Sequence, residues 1–342
     1  MKQAVMEKPG NIRFDEVAVP NPGPGEVRIR VQQIGICGSD IHVWHGKHPF
    51  TPYPVVQGHE FMGTLDALGA GVGNMPPLGS KVTALPQIVC GECNPCKKGR
   101  FNICENLRVR GFQADGCGRE FYVIPAERIV ALPDDFTPDQ GAFVEPVAVA
   151  VHACQRAGDL TGRNVVVLGA GTIGNLIAQV AKIRGAAKVL ITDIADYRLD
   201  VAKRCGVDVT VNAAKQSLKE AAAAAFGPAG FDLAFEATGA EPSLASAIHA
   251  IEKGGTILIV GVYGKQPTVD MSVVGEHEVV LAGSMMYWRE DWETAVKLLA
   301  STITVAPLVT RHFAFADLAE GYRYIDQNGA CSMKVMVDLP VS

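Results

Sequence analysis

The stretch from Asn164 to Asp193 leaves this chain few ways to fold. Val165-Val166-Val167-Leu168 is apolar without alternation, as a strand buried on both faces reads. Gly169-Ala170-Gly171-Thr172-Ile173-Gly174 follows at once and predicts a turn into a helix running to Ile183. Glycines at this spacing permit a tight turn, close approach of backbone to a pyrophosphate, and close packing of helix on strand. The free amides of the helix start then face the phosphates. Lys188 to Thr192 reads as the second strand and ends in Asp193. An acid about 20 residues past the glycines binds both hydroxyls of an adenosine ribose. It also repels a 2′-phosphate, so NAD is expected over NADP. A helix-capping role is the plainer use for Asp193. A glycine motif alone says little; one set between a strand, a helix and a second strand with a terminal acid predicts a doubly wound parallel sheet.

More alternating units follow. Strands are expected at Phe231 to Glu236, Thr256 to Val260 and Glu278 to Gly283, with a helix from Pro242 to Glu252. The polyalanine run Ala221 to Ala225 reads as helix. Thr238, Gly261 and Val262 stand just past strand ends, where open α/β sheets bind ligands. They join Gly169, Gly171, Thr172, Ile173, Gly174, Asp193 and Arg198 as cofactor-binding candidates.

The first 130 or so residues have a different texture. Val27-Arg28-Ile29-Arg30-Val31 alternates like a half-buried strand, after a Pro/Gly-rich turn at Pro20 to Gly25. Similar runs at Phe61 to Leu68, Lys81 to Leu85 and Glu120 to Ile124 suggest a small barrel-like β domain. Two clusters of metal-ligand residues lie within it. Cys37, His59 and Glu60 offer a thiol, an imidazole and a carboxylate, the set that holds a catalytic zinc and leaves one position open. Ser39 and His42 could relay a proton, and Asp40 could orient a ligating histidine. Cys90, Cys93, Cys96 and Cys104 form a closed set of four thiols, which reads as a structural zinc. Two disulfides would use the same residues, but an odd total of nine cysteines with metal spacing fits a reducing compartment better. Glu145 stands in the apolar run Ala142 to Val151, where an unpaired carboxylate is costly. It is a further metal candidate unless it faces solvent or caps a helix.

These motifs carry a resemblance. Cys37-Gly38-Ser39-Asp40-Ile41-His42 with Gly58-His59-Glu60-Phe61-Met62-Gly63 resembles the zinc-dependent medium-chain alcohol and polyol dehydrogenases, and the similarity runs from about Val5 to Leu339. It implies a chaperonin-10-like β-barrel catalytic domain at residues 1–150 and 285–342, with a structural-zinc lobe at 88–106. A Rossmann NAD-binding domain would occupy 151–284. It also implies two zinc ions per subunit and a hydride passed from a secondary alcohol to NAD. The proton would leave through Ser39 and the ribose toward His42. Val144-Glu145-Pro146 matches the polyol branch, where this Glu lies at the catalytic zinc; Glu60 or Glu145 is the carboxylate ligand. Gly46, Pro49, Phe50, Tyr53 and Pro54 resemble dehydrogenases of hexonic sugar acids. At least one of His45, Lys47 and His48 could reach the cleft and meet a substrate carboxylate; a solvated loop with scattered basic groups is the plainer use for them. Gly116-Cys117-Gly118-Arg119-Glu120-Phe121 departs from the family's usual pattern.

A net charge of −5 argues against nucleic acid or an anionic membrane as partner. No signal peptide or membrane-length apolar run is visible, so a cytoplasmic protein is expected. The family resemblance implies a homo-oligomer, a tetramer rather than a dimer. Butanediol- and threonine-type dehydrogenases are the nearer alternatives. A non-catalytic NAD-binding structural or sensory protein is the remote one.

Overall fold

The computed structural model describes residues 1–340. The chain divides into two compact units. The first holds Met1–Glu145, Trp288–Ala300 and the tail from Val309; the second holds Pro146–Tyr287 and Ser301–Leu308.

Six parallel strands form the sheet of the second unit, in the order Val209–Asn212, Lys188–Asp193, Asn164–Leu168, Leu233–Glu236, Thr256–Ile259, Val280–Gly283. Numbered along the chain this is 3-2-1-4-5-6, the doubly wound order. Val165, Val166 and Val167 are wholly buried, as strands covered on both faces must be. The order reverses between Asn164–Leu168 and Leu233–Glu236. Both the glycine loop and Ala237-Thr238-Gly239 leave the sheet there, and Ala237 donates its amide to the Leu168 carbonyl at 2.9 Å. Ser301–Leu308, placed by sequence in the first domain, packs with this unit instead. The reason is Gln179, whose side chain takes both the amide and the carbonyl of Thr304, at 2.9 and 3.1 Å.

The first unit is built on a seven-stranded mixed sheet. Its path runs Val309–Ala314, Lys334–Asp338, Glu26–Ile36, Glu60–Leu68, Lys81–Ala84, Ile129–Ala131, with Phe121–Pro125 also paired to Glu26–Ile36. The long strand Glu26–Ile36 alternates buried and half-buried positions up to Gln33, then is buried continuously through Ile36. That change of pattern carries the chain into the interior just before Cys37. Opposite it, Gly35 pairs with Glu60 on one side and Met336 on the other. The register thereby brings the end of one strand (Cys37) and the start of the next (His59-Glu60) to the same place. Sequence patterning missed the N-terminal hairpin Lys2–Lys8 with Asn11–Glu16, the strand Val309–Ala314 and the short helix Gly38–Trp44. Among the described residues, no helix is long and apolar enough to cross a membrane.

Candidate active site

Cys37 is the N-cap of the helix Gly38–Trp44. Its amide donates to Asp40 Oδ2 at 2.9 Å, so a buried carboxylate fixes the backbone that carries the thiol. Cys37, His59 and Glu60 each offer a ligand atom, and the three atoms lie within 4.8 Å of one another. His59 Nδ1 is buried without a hydrogen-bond partner and stands 3.7 Å from Asp40 Oδ1. Burial alone would lower the His59 pKa, but Asp40, Cys37 and Glu145 raise it well above the ordinary value. Burial, and then Glu60, push the Cys37 thiol up. A thiol raised first by burial, beside an imidazole raised by its anionic neighbours, makes a desolvated surrounding of negative character, which a zinc ion fits.

The sequence marks Glu60 as a ligand or catalytic carboxylate, and the structure adds a partner for it. Lys334 Nζ lies 2.8 and 2.6 Å from its two oxygens and 3.1 Å from the Ile36 carbonyl, with both residues buried. Gly35 makes room for this pair, since a Cβ there would collide with the Glu60 carboxylate. Glu145 is buried and close enough to act on His59, but it falls outside the three-residue cluster. Ser39 and His42, three positions apart on one helix face, are both half-buried. The His42 pKa is lowered by burial, then by His45 and Lys47.

The loop after this helix folds back on it. His42 accepts from the amides of Lys47 and His48 through its carbonyl, at 2.8 and 3.1 Å. His48 stacks on Phe112 with centroids 4.9 Å apart, and Phe112 lies 5.0 Å from His59. His48 is therefore one aromatic ring removed from the metal cluster. Its Nδ1 lies 2.7 Å from the Thr51 hydroxyl, and burial, then His42 and His59, lower its pKa. His45 is engaged elsewhere, 2.9 Å from Asp326. Of the three basic residues expected to meet a carboxylate, exposed Lys47 is left as the cation.

The four remaining metal candidates close on themselves. Cys90, Cys93, Cys96 and Cys104 are free thiols whose sulfurs lie within 4.8 Å. The Cys90–Cys104 and Cys93–Cys104 sulfurs are 3.5 and 3.9 Å apart. A tetrahedron with Zn–S bonds of about 2.3 Å has edges of about 3.8 Å, so the set is spaced for zinc. Backbone amides of Glu92 and Cys93 hold the Cys90 thiol down to about 6, favouring the thiolate a metal needs.

At the glycine loop, Gly171 caps the helix Thr172–Ile183 without a side chain, and the space a Cβ would take is open. A pyrophosphate fits such a cradle, against amides that have no helical partner. Gly174 is required for packing, because a Cβ there would strike the Gly169 carbonyl. Asp193 accepts the amides of Ala170 and Ala195, each at 2.9 Å, and lies 3.7 Å from Arg198. The ribose candidate is thus tied to the phosphate loop itself. Thr238 and Gly239 are held by the fully buried Glu236, which accepts their amides at 2.8 and 3.1 Å.

Comparison with known proteins agrees along the whole chain. Residues 23–134 match the alcohol dehydrogenase GroES-like domain, and residues 172–301 the zinc-binding dehydrogenase family. L-threonine 3-dehydrogenase from Rhizobium etli is 35% identical over 345 aligned positions, covering 99% of this chain and 98% of that protein. Human sorbitol dehydrogenase is 36% identical over 325, covering 93% and 90%. The chain belongs to the zinc-dependent medium-chain alcohol and polyol dehydrogenases. Members of this family are oxidoreductases that work with zinc and a nicotinamide cofactor. The crystal structure of L-idonate 5-dehydrogenase from Escherichia coli has the same fold, with a TM-score of 0.90, 28% identity, and coverage of 98% of this chain and 97% of that one. Within this dehydrogenase the residues that sequence reasoning missed are Lys334, Gln57, Phe112 and Tyr322. The local signals are a lysine interrupting the apolar strand Met333 to Asp338 and a glutamine just ahead of Gly58-His59-Glu60.

Proposed function

We propose that this dehydrogenase oxidises a secondary hydroxyl of a polyol or sugar acid to a ketone with NAD. The cluster of half-buried Cys37 with buried His59 and Glu60 carries the reading, because three donors of that chemistry leave a position open to substrate. Cys37 and His59 hold the catalytic zinc, with Glu60 or Glu145 as the carboxylate ligand. Cys90, Cys93, Cys96 and Cys104 hold the structural one. When bound, the catalytic zinc supplies Lewis acidity to the alcohol oxygen, and the nicotinamide accepts the hydride. Asp40 orients His59, and Ser39 and His42 carry the hydroxyl proton outward. The glycine loop with Thr172 and Ile173 binds the pyrophosphate, and Asp193 with Arg198 takes the adenosine ribose. Thr238, Gly261 and Val262 complete the cofactor site. The first unit is the catalytic domain and the second the NAD-binding domain.

For substrate, the supporting observations are Lys47 beside a loop that reaches His59 through Phe112, and similarity to proteins named for sorbitol and idonate. A threonine-type amino alcohol is the second reading, favoured by 35% identity along nearly the whole of a threonine dehydrogenase. The test compares kcat/KM for galactonate, gulonate and idonate with sorbitol, xylitol, butanediol and threonine, then repeats it with Lys47→Ala. Best turnover of threonine or butanediol refutes the substrate class. Turnover of none supports the non-catalytic alternative.

Nine unpaired thiols support a cytoplasmic location. The sheet of the second unit ends at Val280–Gly283 with an open edge and an exposed Val280, which supports a homo-oligomer. Mass measurement in solution decides between tetramer and dimer.

A further inference from the structure

The polar chain behind His59 does not stop at Asp40. Gln57 Nε2 donates to Asp40 Oδ1 at 3.2 Å, and this is the oxygen that faces His59 Nδ1. At its other end, Gln57 Oε1 accepts from the Tyr322 hydroxyl at 3.1 Å. Asp40, Gln57 and Tyr322 are 1%, 6% and 2% exposed, so these bonds have no competing bulk water. A buried glutamine with one end on a carboxylate and the other on a phenol has its orientation fixed by chemistry, the amide NH₂ toward the acid.

Both ends of this link are themselves held. The segment Gly116-Cys117-Gly118 donates three amides, to the carbonyls of Val56, Gly58 and Gln57, at 2.7, 3.0 and 2.8 Å. The stretch that departs from the family's usual pattern is therefore the backing of the Gln57 backbone. Trp44 stacks on Tyr322 at 5.1 Å, and its indole NH donates to Asp326 at 3.0 Å. The C-terminal helix Leu318–Gln327 is thus clamped to the helix that begins at Cys37.

We propose that Gln57 and Tyr322 are positioning residues of the catalytic zinc site, setting Cys37 and His59 through the Asp40 carboxylate. Asp40 holds the Cys37 amide with one oxygen and faces His59 with the other, so rotating that carboxylate disturbs both ligands together. Gln57 is the side chain that blocks the rotation. It also draws electron density from the oxygen facing His59, which limits the negative charge the imidazole feels. The inference rests on Cys37 and His59 being zinc ligands, as proposed above.

The experiment uses zinc-loaded, full-length enzyme. Gln57→Met keeps the volume and removes both hydrogen bonds; Tyr322→Phe removes only the outer one. Three readouts are zinc per subunit under graded chelator, the visible spectrum after cobalt exchange at the open site, and the melting transition. Gln57→Met should lose the open-site zinc at a chelator concentration about tenfold lower than wild type and shift the cobalt bands, while the four-cysteine zinc stays in place. Tyr322→Phe should shift both readouts in the same direction by less. A cavity of about 20 Å³ bordered by Gln57, Asp40 and Tyr322 has room for one water to replace the hydroxyl. If Gln57→Met fails to fold, Tyr322→Phe carries the test alone. Wild-type chelator profile and cobalt spectrum in a folded variant overturn the proposal. Wild type that binds one zinc, retained when Cys37 is replaced by Ser, overturns the ligand reading instead.

Discussion

Replacing Lys334 with Met tests whether the ion pair under the metal cluster is what tolerates a charged Glu60 there. The attraction at 2.6 Å is largely offset by the desolvation of both ions, so the intact pair contributes little net stability. Removing one partner is different, because Glu60 is 1% exposed and would keep its charge with no counterion. Stranding a buried carboxylate costs about 3–5 kcal/mol. For a unit of this size each kcal/mol moves the melting temperature by about 2–4 °C, so the variant should melt about 6–20 °C lower. The double variant Glu60→Gln with Lys334→Met should recover most of that loss, since neither charge remains. Burial alone would lower the Lys334 pKa, but Glu60 and Cys37 raise it above the ordinary 10.5. A raised lysine stabilises fully below its unfolded pKa and loses that contribution only as pH climbs past the folded one. Wild type therefore keeps Lys334 charged at both about pH 6 and about pH 9, and the deficit of the single variant should be no smaller at the higher pH. Thermal unfolding at both pH values is the assay, on protein whose open-site zinc is removed and whose four-cysteine zinc is kept, so that no metal replaces Lys334 as the counterion of Glu60. A double variant as unstable as the two singles added together would refute the argument.

Three other outcomes follow from the sites. Cys37→Ser should abolish turnover and leave the melting transition nearly in place, whereas Cys96→Ser should give unstable or insoluble protein, because structural-zinc binding is folding energy; elemental analysis and calorimetry read both. Asp193→Ser should cut kcat/KM for NAD about tenfold or more and narrow the discrimination against NADP, since a charge-assisted bond to the ribose is lost; steady-state kinetics favouring NADP in the wild type would contradict the ribose assignment. His42 titrates below the ordinary histidine value of about 6.5 in part because of Lys47. Lys47→Ala should raise that pKa slightly, since burial and His45 remain, and move the acid limb of the kcat/KM profile to higher pH; a limb that persists unchanged in His42→Ala would remove His42 from the proton path.

The parts legible in the sequence are those whose physics is local. A strand, a glycine turn and a helix are contiguous from Asn164 to Ile183, and the structure has Asn164–Leu168 and Thr172–Ile183 there. Thr137 before Pro138 has the local pattern of a helix cap, and the Gln140 amide donates to its hydroxyl at 3.2 Å. The strand Val309–Ala314 was not, because its burial pattern is half-exposed throughout and the alternation is too weak to mark a face. Helix Gly38–Trp44 was hidden for a different reason. Its start is capped by a cysteine, a poor sequence signal, and stabilised by an Asp40 bond that only the folded backbone shows.

At the metal cluster the same distinction separates ligands from supports. Cys37, His59 and Glu60 announce themselves because few other uses explain those residues so close in sequence. Lys334 lies 274 residues from Glu60, and Tyr322 lies 265 from Gln57. Neither pairing has a spacing rule, since it depends on the strand Lys334–Asp338 docking beside Glu26–Ile36 and on the C-terminal helix crossing behind Asp40. What the sequence does show is a polar residue where an apolar one is expected: Gln57 before Gly58-His59-Glu60, and Lys334 in an apolar strand. A buried polar side chain needs a partner, so each such residue implies a second one somewhere else in the chain. Here Tyr322 is the partner of Gln57 and Glu60 the partner of Lys334, so both pairs tie the cluster to the C-terminal tail. On the zinc site proposed above, the tail is part of the catalytic apparatus: Tyr322→Phe combined with Lys334→Met should release zinc from the open site, and retention of that zinc in the folded double variant would show that the tail only closes the sheet.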